Sequence, residues 1–194
     1  GLSVVGNSVV KSEKKLKEKK RTVITNEEMK EWDEPDEESL EYYDLGEFST
    51  TLPVVYMNTK GQQVLKENVI WGNIALLDGN GEEQSVFSTP NSIYRATIKY
   101  RGASSYSEFD KKQYRIKFYK NKKDSAKEVS LAGMGANSEW VLNGPYLDKT
   151  LIRNKLVYDL ARELNGWAPD TRFVELFVDG EYQGVYLAVE PVTN

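Results

Sequence analysis

The chain has 194 residues, of which 39% are apolar, enough for one packed domain of ordinary size with flanking segments. It contains no cysteine and no histidine, which excludes thiol catalysis, disulfide bonds, imidazole-based catalytic triads and zinc sites. The net charge of −4 arises in residues 1–47, which hold 8 basic and 13 acidic residues, so the remainder is near neutral and predicts no nucleic-acid partner. No apolar run approaches the ~20 residues of a membrane-spanning helix, so no membrane span is predicted.

Two oppositely charged segments come first in the chain. Residues 11–21 form a basic run, and residues 26–47 form an acidic segment with 11 acidic residues. Such segments bury too little apolar surface to offset chain entropy, so we expect them to be solvated. A tether, or a charge clamp between the two, is the alternative. We therefore predict a charged, flexible segment at 1–50 and a domain at 51–194.

Strands are predicted through most of the domain, from an extended apolar run at its start and from alternating apolar and polar residues farther on. The predicted strands are Leu52–Met57, Val69–Leu77, Ile93–Arg101, Gln113–Tyr119, Glu139–Asn143, Arg172–Val178 and Glu181–Glu190. The last two are joined by Asp179-Gly180, which favours a two-residue type I′ hairpin. In the third and fourth strands we expect the inward set Tyr94, Ala96, Ile98, Tyr100, Tyr114, Ile116 and Phe118, with cationic residues on the other face.

One strong helix is predicted from Asp148 to Leu164. Its apolar residues recur at spacings of three and four, and predict a buried stripe of Leu151, Ile152, Leu156, Leu160, Ala161 and Leu164. Asn165-Gly166 supplies a left-handed stop. The element order predicts the α+β class, an antiparallel β-sheet with one main helix packed on one face.

A possible anion site lies in residues 99–117 (KYRGASSYSEFDKKQYRIK). Two strands with cationic outer faces flank a loop that contains Gly102, two serines and the pair Lys111-Lys112. Backbone amides at glycine and nearby cations suit a phosphate chain. The segment lacks the Walker and GxGxxG spacings, so the residues alone favour the other interpretation, the solvated face of an antiparallel sheet.

Three segments, at residues 100–118, 143–165 and 173–192, resemble signature blocks of the CotH (spore coat protein H) atypical protein kinase family. YRGASSYSEFDKKQYRIKF resembles Y-R-G-x-S…K-K-x-Y-x-[IL]-x-F, and NGPYLDKTLIRNKLVYDLARELN resembles N-x-x-Y-x-D-x-[ST]-L-[IM]-R-N-K-L. FVELFVDGEYQGVYLAVEPV is similar to the hairpin block G-x-Y-x-G-V-Y-L-x-x-E. The blocks stand in family order and, with LPVVYMNTKGQ, cover roughly residues 52–192. Pro191 departs from the pattern, since many members continue with a small or polar residue.

The resemblance implies a divergent protein-kinase N-terminal lobe and ATP- and Mg²⁺-dependent phosphorylation of coat or surface proteins, which depends on positioning and charge neutralisation. It makes Arg101, Lys111 and Lys112 candidates for phosphate contact, with Arg115 as an outer candidate. It places Glu190 near the nucleotide base or its hinge. The helix residues that match the family and would brace the loop are Asp148, Arg153 and Asn154.

The family's catalytic aspartates, in an Asn-x-Asp-type and a Trp-Asp-x-Asp segment, lie downstream of the blocks found here. We therefore assign no catalytic and no metal-binding residue, expect this chain to be inert alone, and expect a C-terminal lobe as its partner. The protein substrate stays open. The resemblance implies an extracellular or cell-surface location, or the spore coat.

A noncatalytic alternative remains at the level of sequence: a β-rich cell-surface or carbohydrate-binding module, or a structural coat scaffold. Aromatic side chains could stack on sugar faces. The aromatic candidates for such stacking are Trp71, Trp140, Trp167, Tyr94 and Tyr106. Burial of these residues in the core would remove the support for a sugar site.

Overall fold

A computed structural model describes residues 48–101, 113–144, 148–166 and 168–191, and for 148–154 and 165 it describes the backbone alone. The described strands and helix are β1 (Ser49–Thr50), β2 (Val54–Asn58), β3 (Ile70–Leu77), β4 (Gln84–Ser85), β5 (Ser92–Arg101), β6 (Gln113–Tyr119), β7 (Val129–Ser130), β8 (Ala136–Asn137), β9 (Glu139–Asn143), α1 (Asp148–Asn165), β10 (Thr171–Val178) and β11 (Glu181–Val189). Among the described residues, no helix has the length and apolar character that crossing a membrane requires.

Seven strands form a closed barrel in the order β10–β11–β9–β6–β5–β3–β2. All neighbours are antiparallel except the closing pair, in which β2 runs parallel to β10 with Val54 opposite Glu175 and Met57 opposite Val178. Two short ribbons, β1–β4 and β7–β8, are attached to it. Because the barrel is closed, each of its strands is hydrogen-bonded to a neighbouring strand on both sides.

The barrel interior is the main hydrophobic core. Successive residues of a strand point to opposite faces, so alternate residues of β5 and β6 meet inside. Ala96, Ile98, Ile116 and Phe118 are fully buried there, which confirms the predicted inward set for these strands. Trp140 of β9 is also fully buried, and its indole Nε1 donates to the carbonyl of Val129 at 3.1 Å.

The predicted fold class is wrong. The described chain is mostly β and closes into a barrel, so it is not an α+β sheet with a packed helix and not the kinase-like lobe that the resemblance implied. The closing pair joins strands about 120 residues apart in sequence, and all five residues of β2 are buried. A strand buried on both faces has no alternation that reveals its partners, which is why the pattern did not predict closure.

The helix spans Asp148–Asn165, close to its predicted bounds, but its predicted buried stripe is wrong where side chains are described. Leu156, Leu160 and Leu164 are 65%, 51% and 74% exposed. The helix instead packs through Tyr158 against an outer cluster of β9 and β11 that includes Leu187. Its contact with the barrel is therefore narrow.

The β10–β11 hairpin confirms the predicted turn. Asp179 and Gly180 both have positive φ, 49° and 79°, which a type I′ turn requires at its two central positions. Asp179 also accepts hydrogen bonds from the backbone amide and the hydroxyl of Thr59. The turn is thereby bound to the residue that follows β2.

Candidate functional site

A cationic patch occupies the outer face of the β5–β6 hairpin and consists of Lys99, Arg101, Arg115 and Lys117. Alternation places all four on the side opposite the core. Lys99 and Arg115 are direct cross-strand partners, a position in which side chains lie about 5 Å apart at Cβ. Like charges in this position destabilise a sheet. The strands therefore hold positive charge together at a cost that a bound anion would offset.

One carboxylate moderates this charge from the neighbouring strand. Glu139, the first residue of β9, accepts from Arg115 through Nε at 3.2 Å and a terminal nitrogen at 2.5 Å. Its other oxygen lies 3.7 Å from Lys117 Nζ. Both partners are on β6, whereas Lys99 and Arg101 are on β5, beyond β6 from Glu139. The charge that remains on the patch is therefore concentrated at its β5 edge.

Arg101 is the exposed last residue of β5, opposite Gln113, where the chain enters the loop that joins the two strands. Lys111 and Lys112 lie in residues 102–112, outside the described residues, so their phosphate contacts stay predictions. The structure does bring Arg101 and Arg115 onto one face of one hairpin. This shared face is what the structure establishes about the geometry of the candidate site.

Glu190 lies elsewhere. It follows β11, three strands from β5, which corresponds to roughly 14 Å around the barrel wall at ~4.8 Å per strand. Its carboxylate accepts from the backbone amide of Asp170 at 3.1 Å and from Asn137 Nδ2 at 3.4 Å. These bonds join the end of β11 to the start of β10 and to the β7–β8 ribbon. The structure does not bring Glu190 to the cationic patch.

The three helix residues expected to brace the loop, Asp148, Arg153 and Asn154, belong to the backbone of α1. Their side chains lie outside the described part of the structure, so the bracing role stays a prediction. Among the described side chains of the helix, Lys155 forms a local pair with Asp159 at 2.8 Å.

Asp170, the residue directly before β10, has a perturbed pKa. Burial raises the pKa of Asp170, but hydrogen bonds and charges from Arg162 and Arg172 together outweigh burial and hold it below the usual aspartate range. Arg162 comes from α1 and Arg172 from β10. Asp170 therefore joins the helix to the barrel through its ionised form.

Sequence reasoning missed one cation. Arg95 was expected on the solvated face of β5, but it is buried, with its guanidinium 4.0 Å from the ring centre of Trp71. It donates to the carbonyl of Lys123 at 2.7 Å and pairs with Asp124 at 3.5 Å. It therefore binds the turn after β6 to the outer barrel wall. Glu139 was also missed, because a single acid at a strand start has no distinctive pattern.

The aromatic residues considered for sugar stacking have other contacts where they are described. Trp140 is fully buried, Trp71 covers Arg95, and Tyr94 packs edge-on against Phe118. Trp167 and Tyr106 lie outside the described residues. The described aromatics thus serve packing.

Comparison with known proteins identifies the family of the region that contains the β5–β6 hairpin. The description "CotH kinase protein" applies to the family that matches residues 98–194, half of the chain. The chain belongs to the CotH kinase protein family. The matched region begins within β5, so it contains the whole cationic patch and Glu139, whereas β1–β4 precede it.

A curated CotH relative extends this assignment. A segment of 96 residues is 38% identical to the inner spore coat protein H of Bacillus subtilis (strain 168), and it covers 49% of this chain and 23% of that protein. The alignment thus spans about a quarter of the relative's length.

Proposed function

We propose that this chain is the nucleotide-binding part of a CotH-type protein kinase, and that its cationic patch contacts the phosphate chain of ATP. Membership of the CotH kinase family supports the proposal, since the matched residues include the patch. The observation that carries it is the direct opposition of Lys99 and Arg115 on the outer barrel wall. A sheet without an anionic ligand is more stable with opposite charges at such positions.

The patch suits phosphate chemically. Arginine presents a planar fork that donates two parallel hydrogen bonds to phosphate oxygens, and lysine adds a compact positive charge. Arg101 is exposed and would donate from the loop end of the hairpin, while Lys99 lies between it and Arg115. In this arrangement the role of the chain is to hold and neutralise phosphates, which is most of what phosphoryl transfer requires of a protein.

The described residues do not fit Mg²⁺. No three carboxylates or other ligating side chains gather in the part of the chain that the structure describes. Mg²⁺ requires near-octahedral oxygen coordination, and the patch is cationic. We therefore assign no metal-dependent step to these residues, and we expect the chain alone to transfer no phosphate from ATP to casein.

Binding of ATP tests the proposal. We expect calorimetric titration of the whole chain with ATP to show binding that weakens as salt rises. Removing one exposed cation, by Arg101→Gln or Lys99→Gln, should weaken binding about three- to tenfold, because each lost contact is a partly screened charge interaction of about 1 kcal/mol. Lys155→Gln, which removes a lysine paired within α1, is the matched control and should leave the affinity unchanged.

Two outcomes would contradict the nucleotide assignment. One is the absence of ATP binding at low salt; the other is equal weakening by the patch variants and by Lys155→Gln. Parallel titration with oligosaccharides covers the noncatalytic alternative. We also propose the spore coat as the location and coat proteins as the substrate class, supported by the likeness to an inner spore coat protein.

A further inference from the structure

The basic surface extends well beyond the patch. The turn after β6, residues 120–127, carries four exposed lysines, Lys120, Lys122, Lys123 and Lys127. Arg95 binds this turn to the outer face of the barrel through the carbonyls of Lys120 and Lys123. Residues 92–101 and 113–128 together hold nine basic and two acidic residues, a net charge of +7, which Glu139 of β9 reduces to +6. We call this surface, the patch with the turn, the basic stripe.

The basic stripe is longer than a triphosphate. Outward residues of a strand recur every ~7 Å, so the outer face of β6 spans about 20 Å before the lysine-bearing turn adds to it. A ligand that matches its whole length is an extended polyanion. An extended acidic peptide has the same ~7 Å spacing between alternate side chains.

This chain carries an acidic segment of sufficient length. Residues 26–47 contain 11 acidic residues and one basic residue, a net charge of −10. The segment joins the described structure at Phe48. Phe48 and Ile93 of β5 both pack against a second outer cluster, which includes Val54, Tyr56 and Phe177. Ile93 lies two residues before Arg95. Phe48 itself contacts Phe177 of β10 and Tyr182 of β11, so the acidic segment ends on the outer barrel wall, across this cluster from the strand on which the basic stripe begins.

We propose that residues 26–47 dock along the basic stripe of their own chain. The 22 residues can reach up to ~70 Å when extended, which exceeds the length of the stripe. Linkage within one chain gives an effective concentration of about the millimolar order, so weak individual ion pairs suffice for occupancy. The basic run at residues 11–21 is the competing partner for the acids. The inference does not require that the patch binds ATP, but the docked segment and ATP would compete for Lys99, Arg101 and Arg115.

A spin label tests the proposal on the whole chain, which has no cysteine of its own. Ser39→Cys places a label in the middle of the acidic segment without changing its charge. We expect the label to broaden the backbone amide signals of Lys99, Arg115 and residues 120–127 but not those of Val174 and Leu176 on β10. The broadening should disappear at about 1 M salt, where the screening length is about 3 Å.

Two charge variants test the electrostatic cause. Lys120→Glu with Lys123→Glu changes two exposed lysines, and Glu34→Gln with Asp36→Asn and Glu37→Gln changes only the acidic segment. Each set should abolish most of the broadening at low salt. Because the second set leaves the barrel sequence untouched, it remains informative if the first impairs folding.

Several results would overturn the proposal. Uniform broadening, none at all, or broadening centred on α1 would show that the segment has another position. Persistence of the broadening in both variant sets would show that charge does not hold it. A mixture of a spin-labelled chain with an isotope-labelled chain that carries no spin label separates the two copies. Broadening that arises only in this mixture would assign the docking to a second copy instead of to the same chain.

Discussion

Lys99→Glu should stabilise the protein while weakening ATP binding. The change turns the like-charged cross-strand pair of Lys99 and Arg115 into an oppositely charged one. Direct cross-strand charge pairs contribute roughly 0.2–1 kcal/mol. Arg115 is 48% exposed and already paired with Glu139, so we expect about 0.5 kcal/mol, near the middle of that range. For a domain of this size that corresponds to a rise in Tm of about 1–3 °C.

Urea unfolding at low and high salt measures this effect. The unfolding midpoint should rise without a change in slope, since the exposed surface is the same, and the gain should shrink as salt screens the pair. The control is the same substitution in an Arg115→Gln background, where the gain should vanish. A loss of stability, or an equal gain in both backgrounds, would refute the claim that the hairpin is strained by opposed cations. If the stabilised variant bound ATP with unchanged affinity, the repulsion between Lys99 and Arg115 would be unrelated to ATP binding.

Three further predictions concern the barrel and its helix. Trp140→Ala should lower the free energy of unfolding by about 3–5 kcal/mol in urea titrations, since the side chain is fully buried and its indole bonds a backbone carbonyl. Asp170→Asn should destabilise at neutral pH, and because the folded pKa of Asp170 is lowered, the difference from the parent should shrink as pH falls through that pKa; a constant difference would contradict this. Leu160→Gln should change stability by less than about 0.5 kcal/mol because Leu160 is half exposed, whereas Tyr158→Ala should cost about 1–2 kcal/mol by the same measurement.

The sequence predicted the strands that bury one face and not the arrangement that closes them. Gln113–Tyr119 has its predicted bounds because apolar and cationic residues alternate strictly along it. No comparable pattern predicts the parallel pairing of β2 with β10, because β2 is buried on both faces and its polar and apolar residues do not alternate. An amphipathic helix pattern likewise shows which residues can be buried, but not whether another element covers them. Leu156 and Leu164 illustrate that limit.

The candidate site was predicted in part. Alternation placed Arg115 and Lys117 outward, but their carboxylate partner, Glu139, comes from a strand 20 residues later and has no local signal. Arg95 has the same alternation as Lys99, yet it is buried because Trp71 and the following turn cover it. Cross-strand neighbours of this kind depend on strand order, which hydrophobic periodicity does not encode.

Closure of the barrel has a consequence for how this domain engages other polypeptides. A sheet with an open border offers unpaired amides and carbonyls on which a peptide can add as a further strand. Here every strand of the seven-membered ring has two neighbours, and among the described strands only the two-residue ribbons keep an open border. A peptide that binds by extending a sheet therefore finds no free strand in the described barrel, where contact is left to side chains of the outer wall and to the connecting loops.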